Sequence, residues 1–387
     1  MKYVVCVPDG CADEPIPELG GRTPLQVAKM PTLASLARRG EVGLASVIPP
    51  GMAPGSDVGN MAILGYDPSV YHTGRAPIEA AAMGIVSDGD TVAFRCNLVT
   101  VGEDGTMVDF AGGHPTSEAA AEVIAALDEA LGGAGVSFHP GVQYRHIMLA
   151  PAAWSAAVCV PPHDLTGKTV VWPQGPGAEE LKSLMIASRE VLSRFSLEAN
   201  QIWLWGQGKT PSLPSFGRRW GLSGGLVSEV DLVRGLGVLA GLEVVDVPGA
   251  TGWYDTDYDA IREAAVRELA NGADFFLVHI EATDEAGHAG DLDEKIRALE
   301  NWDARVLAGL SEALEQLGPW RLLLLPDHPT PVRLRTHTAD PVPYLLYDSR
   351  RVGAGGSYDE RSATGPAVPG HTLLSRLLER APCEIGE

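Results

Sequence analysis

Four short apolar runs restrict what this chain can fold into more than any other feature. Residues 3–7 run into Pro8-Asp9-Gly10. Asp274-Phe275-Phe276-Leu277-Val278-His279-Ile280 is the second, and Arg321-Leu322-Leu323-Leu324-Leu325 runs into Pro326-Asp327-His328. Val342-Pro343-Tyr344-Leu345-Leu346-Tyr347 is the fourth. None alternates apolar with polar, so each reads as a strand covered on both faces. Helical patterns separate them: 23–39, broken at Pro31, then 257–271 and 292–317. This alternation predicts an α/β fold with a doubly wound, mainly parallel sheet. Ligands of such sheets gather at the carboxyl ends of the strands, which here carry Asp9, His279 with its following loop, and Asp327-His328.

The middle of the chain reads differently. Residues 91–101, an Asp104-Gly105 turn and 106–111 read as a hairpin. An Ala-rich helix follows over 116–131, with Ser117 near its start, and strands are expected at 143–150 and 157–160. A β-β-α-β-β run is the pattern of a small α+β domain. It is expected over 87–175, inserted into a larger domain made of 1–86 and 176–387. Pro173-Gln174-Gly175-Pro176-Gly177 reads as the return hinge, and the Gly/Pro/Ser-rich stretch 354–370 as a mobile surface loop. A length of 387 residues accommodates two such domains.

Asp and Glu number 50 against 29 Lys and Arg, so the net charge is 29 − 50 = −21. Such a field repels polyphosphates and anionic bilayers, which argues against nucleic-acid and membrane partners. No stretch approaches the ~18 uncharged apolar residues of a membrane span. The apolar run at the N-terminus is too short for a signal peptide. The five cysteines are odd in number and include no CxxC pair, as expected of reduced thiols in the cytoplasm.

The candidate chemistry lies at the strand ends. In Asp284-Glu285-Ala286-Gly287-His288, an Asp and a His at i and i+4 converge if the loop enters a helix, a spacing that suits a divalent cation accepting oxygen and imidazole. Asp327-His328 is costly to bury without a partner, and a metal supplies one. His337 follows nine residues later. In Gly55-Ser56-Asp57-Val58-Gly59-Asn60, glycine allows a sharp turn, and Ser56 opens a helix whose amides form an anion site. Ser56 is there a candidate nucleophile, with Asn60 and backbone N–H groups holding phosphate oxygens. Singly, each feature has a plainer reading: a helix cap, a surface His, a turn, an Asx turn at Asp9. Together, Asp9, Asp284, Asp327, His279, His288, His328 and His337 share one sheet edge, and two cation sites flanking a serine account for them most simply. Two metals clamp the attacking and leaving oxygens of a phosphoryl displacement, and a cation against a serine hydroxyl lets it deprotonate near neutral pH.

These residues carry a resemblance. Met52-Ala53-Pro54-Gly55-Ser56-Asp57-Val58-Gly59-Asn60 through Ile63-Leu64-Gly65-Tyr66-Asp67-Pro68 resembles the nucleophile segment of the cofactor-independent phosphoglycerate mutases, archaeal type, of the alkaline phosphatase superfamily. Asp9-Gly10, Tyr71-His72-Thr73-Gly74-Arg75-Ala76-Pro77-Ile78-Glu79, Phe94-Arg95-Cys96-Asn97 and Pro248-Gly249-Ala250-Thr251-Gly252 extend it. So do Asp284 to His288, Pro326-Asp327-His328 and His337-Thr338-Ala339-Asp340-Pro341, so that it spans nearly the whole chain. The resemblance implies an isomerase that interconverts 2- and 3-phosphoglycerate without 2,3-bisphosphoglycerate, in glycolysis and gluconeogenesis. Ser56 would become phosphoserine. Asp9, Ser56, Asp327 and His328 would bind one divalent metal; Asp284, His288 and His337 would bind the other. Manganese or magnesium would be usual, with zinc or cobalt as further candidates. Asn60 and His279 would stand behind these ligands.

The inserted domain would then cap the small phosphorylated substrate. Arg75, Arg95 and Arg145 are the candidate cations, since arginine forks match carboxylate and phosphate; Asn97, His114 and His163 are the candidate polar partners. Lys209 is a weaker candidate, and Trp203 and Trp205 read as packing residues. One departure stands out: Gly221-Leu222-Ser223-Gly224-Gly225 has Ser223 where the family pattern places a lysine. Loss of a charge there would slow phosphoryl transfer or signal a different substrate. The alternative is therefore a related metal-dependent phosphotransferase or phosphatase acting on another small molecule, such as homoserine. A non-catalytic metal-binding protein is the minor alternative.

Overall fold

The computed structural model describes residues 1–363 and 365–383. The chain forms two compact units, one made of Met1–His72 with the chain from Ser212 onward, the other of Thr73–Pro211.

The first unit is built on an eight-stranded sheet in the order Val368–Pro369, Glu41–Ser46, Val342–Asp348, Trp320–Leu324, Lys2–Pro8, Phe275–Ile280, Gly224–Val227, Glu243–Val244. Every neighbouring pair is parallel except the two made by Val342–Asp348, which alone runs against the rest. The continuous apolar runs have the expected cause. Val4 and Cys6 join a core with Ile261 and Ala265 of helix Tyr258–Ala270 and with Trp302, Val306 and Leu310. Val5 and Val7 point the other way and are equally buried. Helices Asp231–Ala240 and Leu373–Leu378 pack on strands Gly224–Val227 and Trp320–Leu324.

The expected helix over 23–39 is two pieces, Pro24–Val27 and Pro31–Ala37, each with proline in its first turn, where a missing N–H costs nothing. The one over 292–317 runs through as Leu292–Asn301, a π-helical stretch Trp302–Leu307, and Ala308–Leu317. The stretch 354–370 is not the mobile surface loop its composition suggested. Tyr358, Asp359 and Ala363 are buried, the Tyr358 hydroxyl donates to Pro343 O, and Val368–Pro369 joins the sheet edge. Thr364 lies outside the described residues.

The second unit is an antiparallel sheet centred on Thr91–Val101. Arg145–Pro151 flanks that strand on one side and Gln201–Gly208 on the other, with Met107–Asp109 and Ser137–His139 completing the sheet. Helices Ser117–Leu131 and Ala178–Leu192 cover it, burying Val123, Ile124, Leu127, Leu181 and Met185 against Phe94, Leu98 and Trp203. Thr116 caps the first by accepting from Ala119 N. No strand forms over 157–160: Val158 pairs only with Gln174, as an isolated bridge, because Pro161 and Pro162 cannot donate to a longer ladder. The segment 173–177 leads into helix Ala178–Leu192 rather than out of the unit. This unit therefore extends beyond 87–175 on both sides, from helix Ala76–Ala82 to strand Gln201–Gly208.

Candidate active site

The carboxyl ends of adjacent parallel strands deliver the acidic and imidazole groups. Asp9 follows Lys2–Pro8; its N–H donates to Ile280 O at 3.0 Å, and the Thr283 hydroxyl donates to its carbonyl. Gly10 turns with φ of 59°, and a Cβ there would strike Asp284 Oδ1 and Thr330 Oγ1. Helix Ser56–Ile63 is buried along its whole length. Gly59 lets it lie against the Asp327 backbone, where a Cβ would collide with the Asp327 carbonyl.

Two groups result. In the first, Asp9, Asp327 and His328 each place a ligand atom within 4.8 Å of the others. His328 Nε2 lies 3.6 Å from Asp9 Oδ1, 3.5 Å from Asp327 Oδ2 and 3.3 Å from Ser56 Oγ. Asn60 Nδ2 donates to Asp327 Oδ2 at 2.7 Å and to Ser56 O at 3.0 Å, tying the serine to the carboxylate. In the second, Asp284, His288 and His337 converge. His288 Nε2 is 3.1 Å from Asp284 Oδ2 and 2.9 Å from His337 Nε2. Its other nitrogen, Nδ1, lies 3.1 Å from Arg335 O, so Nδ1–H donates there and Nε2 faces the group. The His328 and His337 rings stack with centroids 3.8 Å apart, so the two groups adjoin. Thr330 joins them, donating to Asp284 Oδ1 and lying 3.2 Å from His328 Nδ1.

The electrostatics ask for cations. Asp9, Asp327, His328 and His279 are fully buried, and Asp284 and Ser56 nearly so. Neither Asp9 oxygen has a hydrogen-bond partner. Burial, and then the Asp327 and Asp284 charges, push Asp9 well above the carboxylate range. Burial pushes His328 and His279 down to about 4, so both imidazoles are neutral at pH 7 with a lone pair to offer. Burial would also lower His288, but the Asp284 carboxylate overrides it and raises His288 to about 9; the same field favours a metal ion there. Three buried carboxylates with no Lys or Arg ion pair among the described residues are unfavourable unless compensated. The mixed oxygen and imidazole donors fit divalent cations.

Residues 37–197 match the family model described as 2,3-bisphosphoglycerate-independent phosphoglycerate mutase. The chain is 49% identical over 395 residues to the enzyme of that name from Methanothrix thermoacetophila, across 98% of this chain and 100% of the relative. It is 44% identical over 399 residues to mutase 2 of Methanothermobacter thermautotrophicus, across 98% of each. This chain belongs to that family. Among solved structures it resembles a protein from Pyrococcus horikoshii, with a TM-score of 0.78 and 26% identity over 100% of this chain and 99% of the other. It also resembles the cofactor-independent phosphoglycerate mutase of Thermoplasma acidophilum, with a TM-score of 0.62 and 26% identity over 98% and 99%.

In this member of the mutase family, the second unit gathers several of the expected substrate residues. Arg95 is buried and pairs with Glu79 Oε1 at 2.5 Å, and Arg75 Nε reaches the same oxygen at 2.8 Å. Burial would raise Glu79, but the two guanidiniums outweigh it and hold it low. Both arginines lie over the Trp205 ring, at 5.7 Å for Arg75 and 5.2 Å for Arg95. Trp205 Nε1 donates to Asn97 Oδ1 at 3.1 Å, and His163 packs edge-on against the same ring. Trp205 therefore organises these side chains as well as packing. His114 and Arg145 meet at Tyr144, Arg145 sits opposite Asn97 in the sheet and adds its charge at Glu79 and Arg95, and Lys209 is exposed.

Ser223 stands elsewhere. It precedes strand Gly224–Val227, at the amino end of the parallel sheet, and binds Asp274 Oδ2 through its N–H and hydroxyl. The site groups occupy the opposite edge, so a serine here removes no charge from them.

Proposed function

We propose that this protein interconverts 2- and 3-phosphoglycerate through a phosphoserine at Ser56. The observation carrying this reading is Ser56 Oγ at a buried helix N-terminus, beside two clusters of carboxylate and imidazole groups that could each hold a metal ion, in a chain of this family. Ser56 Oγ gives up its proton and attacks phosphorus; the Oγ–P bond forms, the bond to the substrate oxygen breaks, and that oxygen takes a proton in its place. The other glycerate hydroxyl then attacks the phosphoserine, gives up its proton, and restores Ser56. The backbone N–H groups at the start of helix Ser56–Ile63 hold phosphate oxygens, and Asn60 fixes the serine. Asp9, Asp327 and His328 with Ser56 would hold one divalent cation and Asp284, His288 and His337 the other. Manganese or magnesium fits this donor set, and the cations supply charge stabilisation to the attacking and leaving oxygens.

The residues of the second unit act on the substrate: Arg75, Arg95 and Arg145 bind its anionic groups, with Asn97, His114 and His163 as polar contacts. Exclusion of water protects the phosphoserine from hydrolysis. Free thiols at Cys6, Cys11 and Cys96, all buried, suit a reducing cytoplasm. No helix among the described residues is long and apolar enough to cross a membrane. The homoserine-type alternative drew on Ser223, whose position removes that support.

Mutase turnover of the Ser56→Ala protein, measured with added Mn2+ and coupled to enolase, should fall to background. Undiminished turnover would refute the nucleophile. A wild-type, metal-loaded protein that leaves 3-phosphoglycerate untouched would refute the mutase reading altogether.

A further inference from the structure

The amino edge of the parallel sheet, opposite the edge that carries Ser56 and the ligand-type residues, holds a cleft of reversed charge. Strand Trp320–Leu324 begins there and the antiparallel strand Val342–Asp348 ends there, with Arg321 and Asp348 facing each other in register. A cavity of about 440 Å3 opens on this edge, lined by Arg39, Arg321, Arg351 and Arg376 and by Glu41, Asp348 and Glu379. All of them belong to the first unit. Arg350 adds a bidentate pair to Asp348, at 3.0 and 2.9 Å. Five guanidiniums thus meet three carboxylates, 5 − 3 = +2, in a chain of net charge −21.

The carboxylates are shared, and they do not suffice. Arg321 spans Asp348 Oδ2 at 3.4 Å and Glu379 Oε2 at 3.2 Å, and Arg351 takes the other oxygen of Glu379. Arg376 pairs with Glu41. No carboxylate among the described residues pairs with Arg39, whose guanidinium lies over the Tyr347 ring, 5.4 Å from its centroid. Arg321 is only 9% exposed, and its Nε, although beside Asp348, makes no hydrogen bond. A guanidinium has five N–H donors in a planar fork, so an arginine paired along one side still offers donors along another. Like charges gathered in a partly buried cleft repel one another, and an anion relieves that repulsion.

We propose that this cleft binds a small phosphate-bearing anion at the sheet edge remote from Ser56. Arg39 is its first contact, because the charge of that side chain is spent on no carboxylate; Arg321, Arg351 and Arg376 complete the cradle. Arginine forks match phosphate oxygens closely. The cavity lies within the ~300–1,000 Å3 range of small-molecule sites, so a phosphate ester fits as well as free phosphate. Nothing at this edge depends on Ser56 chemistry.

Titration calorimetry of the wild-type protein with inorganic phosphate, and separately with glycerol 3-phosphate, should show a binding event that weakens about tenfold in Arg39→Gln and in Arg351→Gln, the loss of one charge-assisted contact. Arg39 holds no ion pair, so the Arg39→Gln protein should melt with the wild type. Tighter binding of the ester than of phosphate would show that its organic part also touches the cleft; equal binding would make free phosphate the ligand. Wild-type crystals soaked in tungstate, a phosphate mimic, should show an anomalous peak against Arg39. Binding unchanged in both variants, tungstate found only beside Ser56, or a cleft peak with no event in solution (an adventitious ion only) overturns the proposal and leaves the mutase reading standing. Cleft binding in a protein without mutase turnover would support the cleft and refute the mutase reading.

Discussion

Asn60 shows how much one side chain settles at this site. Its amide bridges Ser56 O and Asp327 Oδ2, so it sets the serine relative to a carboxylate 267 residues away in sequence. The Asn60→Ala protein should lose about 10- to 100-fold in metal affinity or turnover, the usual cost of removing a group that orients a ligand; metal titration alongside the mutase assay measures both. Unchanged values would show that the serine is held by the helix alone. The ligand-type residues were legible in the sequence because each follows an apolar run or forms a short local motif. Thr330 and Glu79 were not. A threonine or glutamate gains its meaning only from neighbours that the fold supplies, as when Thr330 meets Asp284 46 residues away.

At the scale of elements, helix Leu292–Asn301 pins the loops that present Asp9 and Asp327. Its Lys295 is fully buried; it pairs with Asp13 at 2.9 Å and donates to Ala12 O and Thr330 O. Replacing it by methionine strands the buried Asp13 carboxylate. The Lys295→Met protein should lose roughly 3–5 kcal/mol, as when one partner of a buried ion pair is removed, and chemical denaturation will show it. A loss under 1 kcal/mol would mean the loops stand without this contact. Strand pairing was the least legible feature at this scale. Strand Gln201–Gly208 joins Thr91–Val101 across about a hundred residues, and no local pattern tells a strand which sheet it enters. The run at 157–160 had strand composition, but prolines at 161 and 162 left it a single bridge.

For the whole molecule, the net charge of −21 is compatible with an anionic substrate because charge is distributed unevenly. The acidic groups at the site gather with imidazoles into sets that could hold a metal ion, and Arg75 and Arg95 cluster in the second unit. A buried imidazole makes the fold sensitive to acid. Burial first, and then the Arg95 charge, push His146 down to about 3 from an ordinary 6.5. Its Nδ1 accepts from Gly141 N at 2.9 Å. Between pH 6.5 and 3 the unfolded chain binds a proton that the folded chain refuses, so this contribution to stability falls as pH falls through that window. Urea midpoints at pH 7 and pH 4.5 should differ less in His146→Gln than in the wild type; an equal difference would place the acid sensitivity elsewhere. The central claim concerns a single oxygen atom. Metal-loaded protein incubated with 3-phosphoglycerate, quenched in acid and digested, should yield the Ser56 peptide carrying one phosphate by mass spectrometry. A wild-type protein that turns over 3-phosphoglycerate while the Ser56 peptide stays unmodified, or carries its phosphate on another residue, would contradict it.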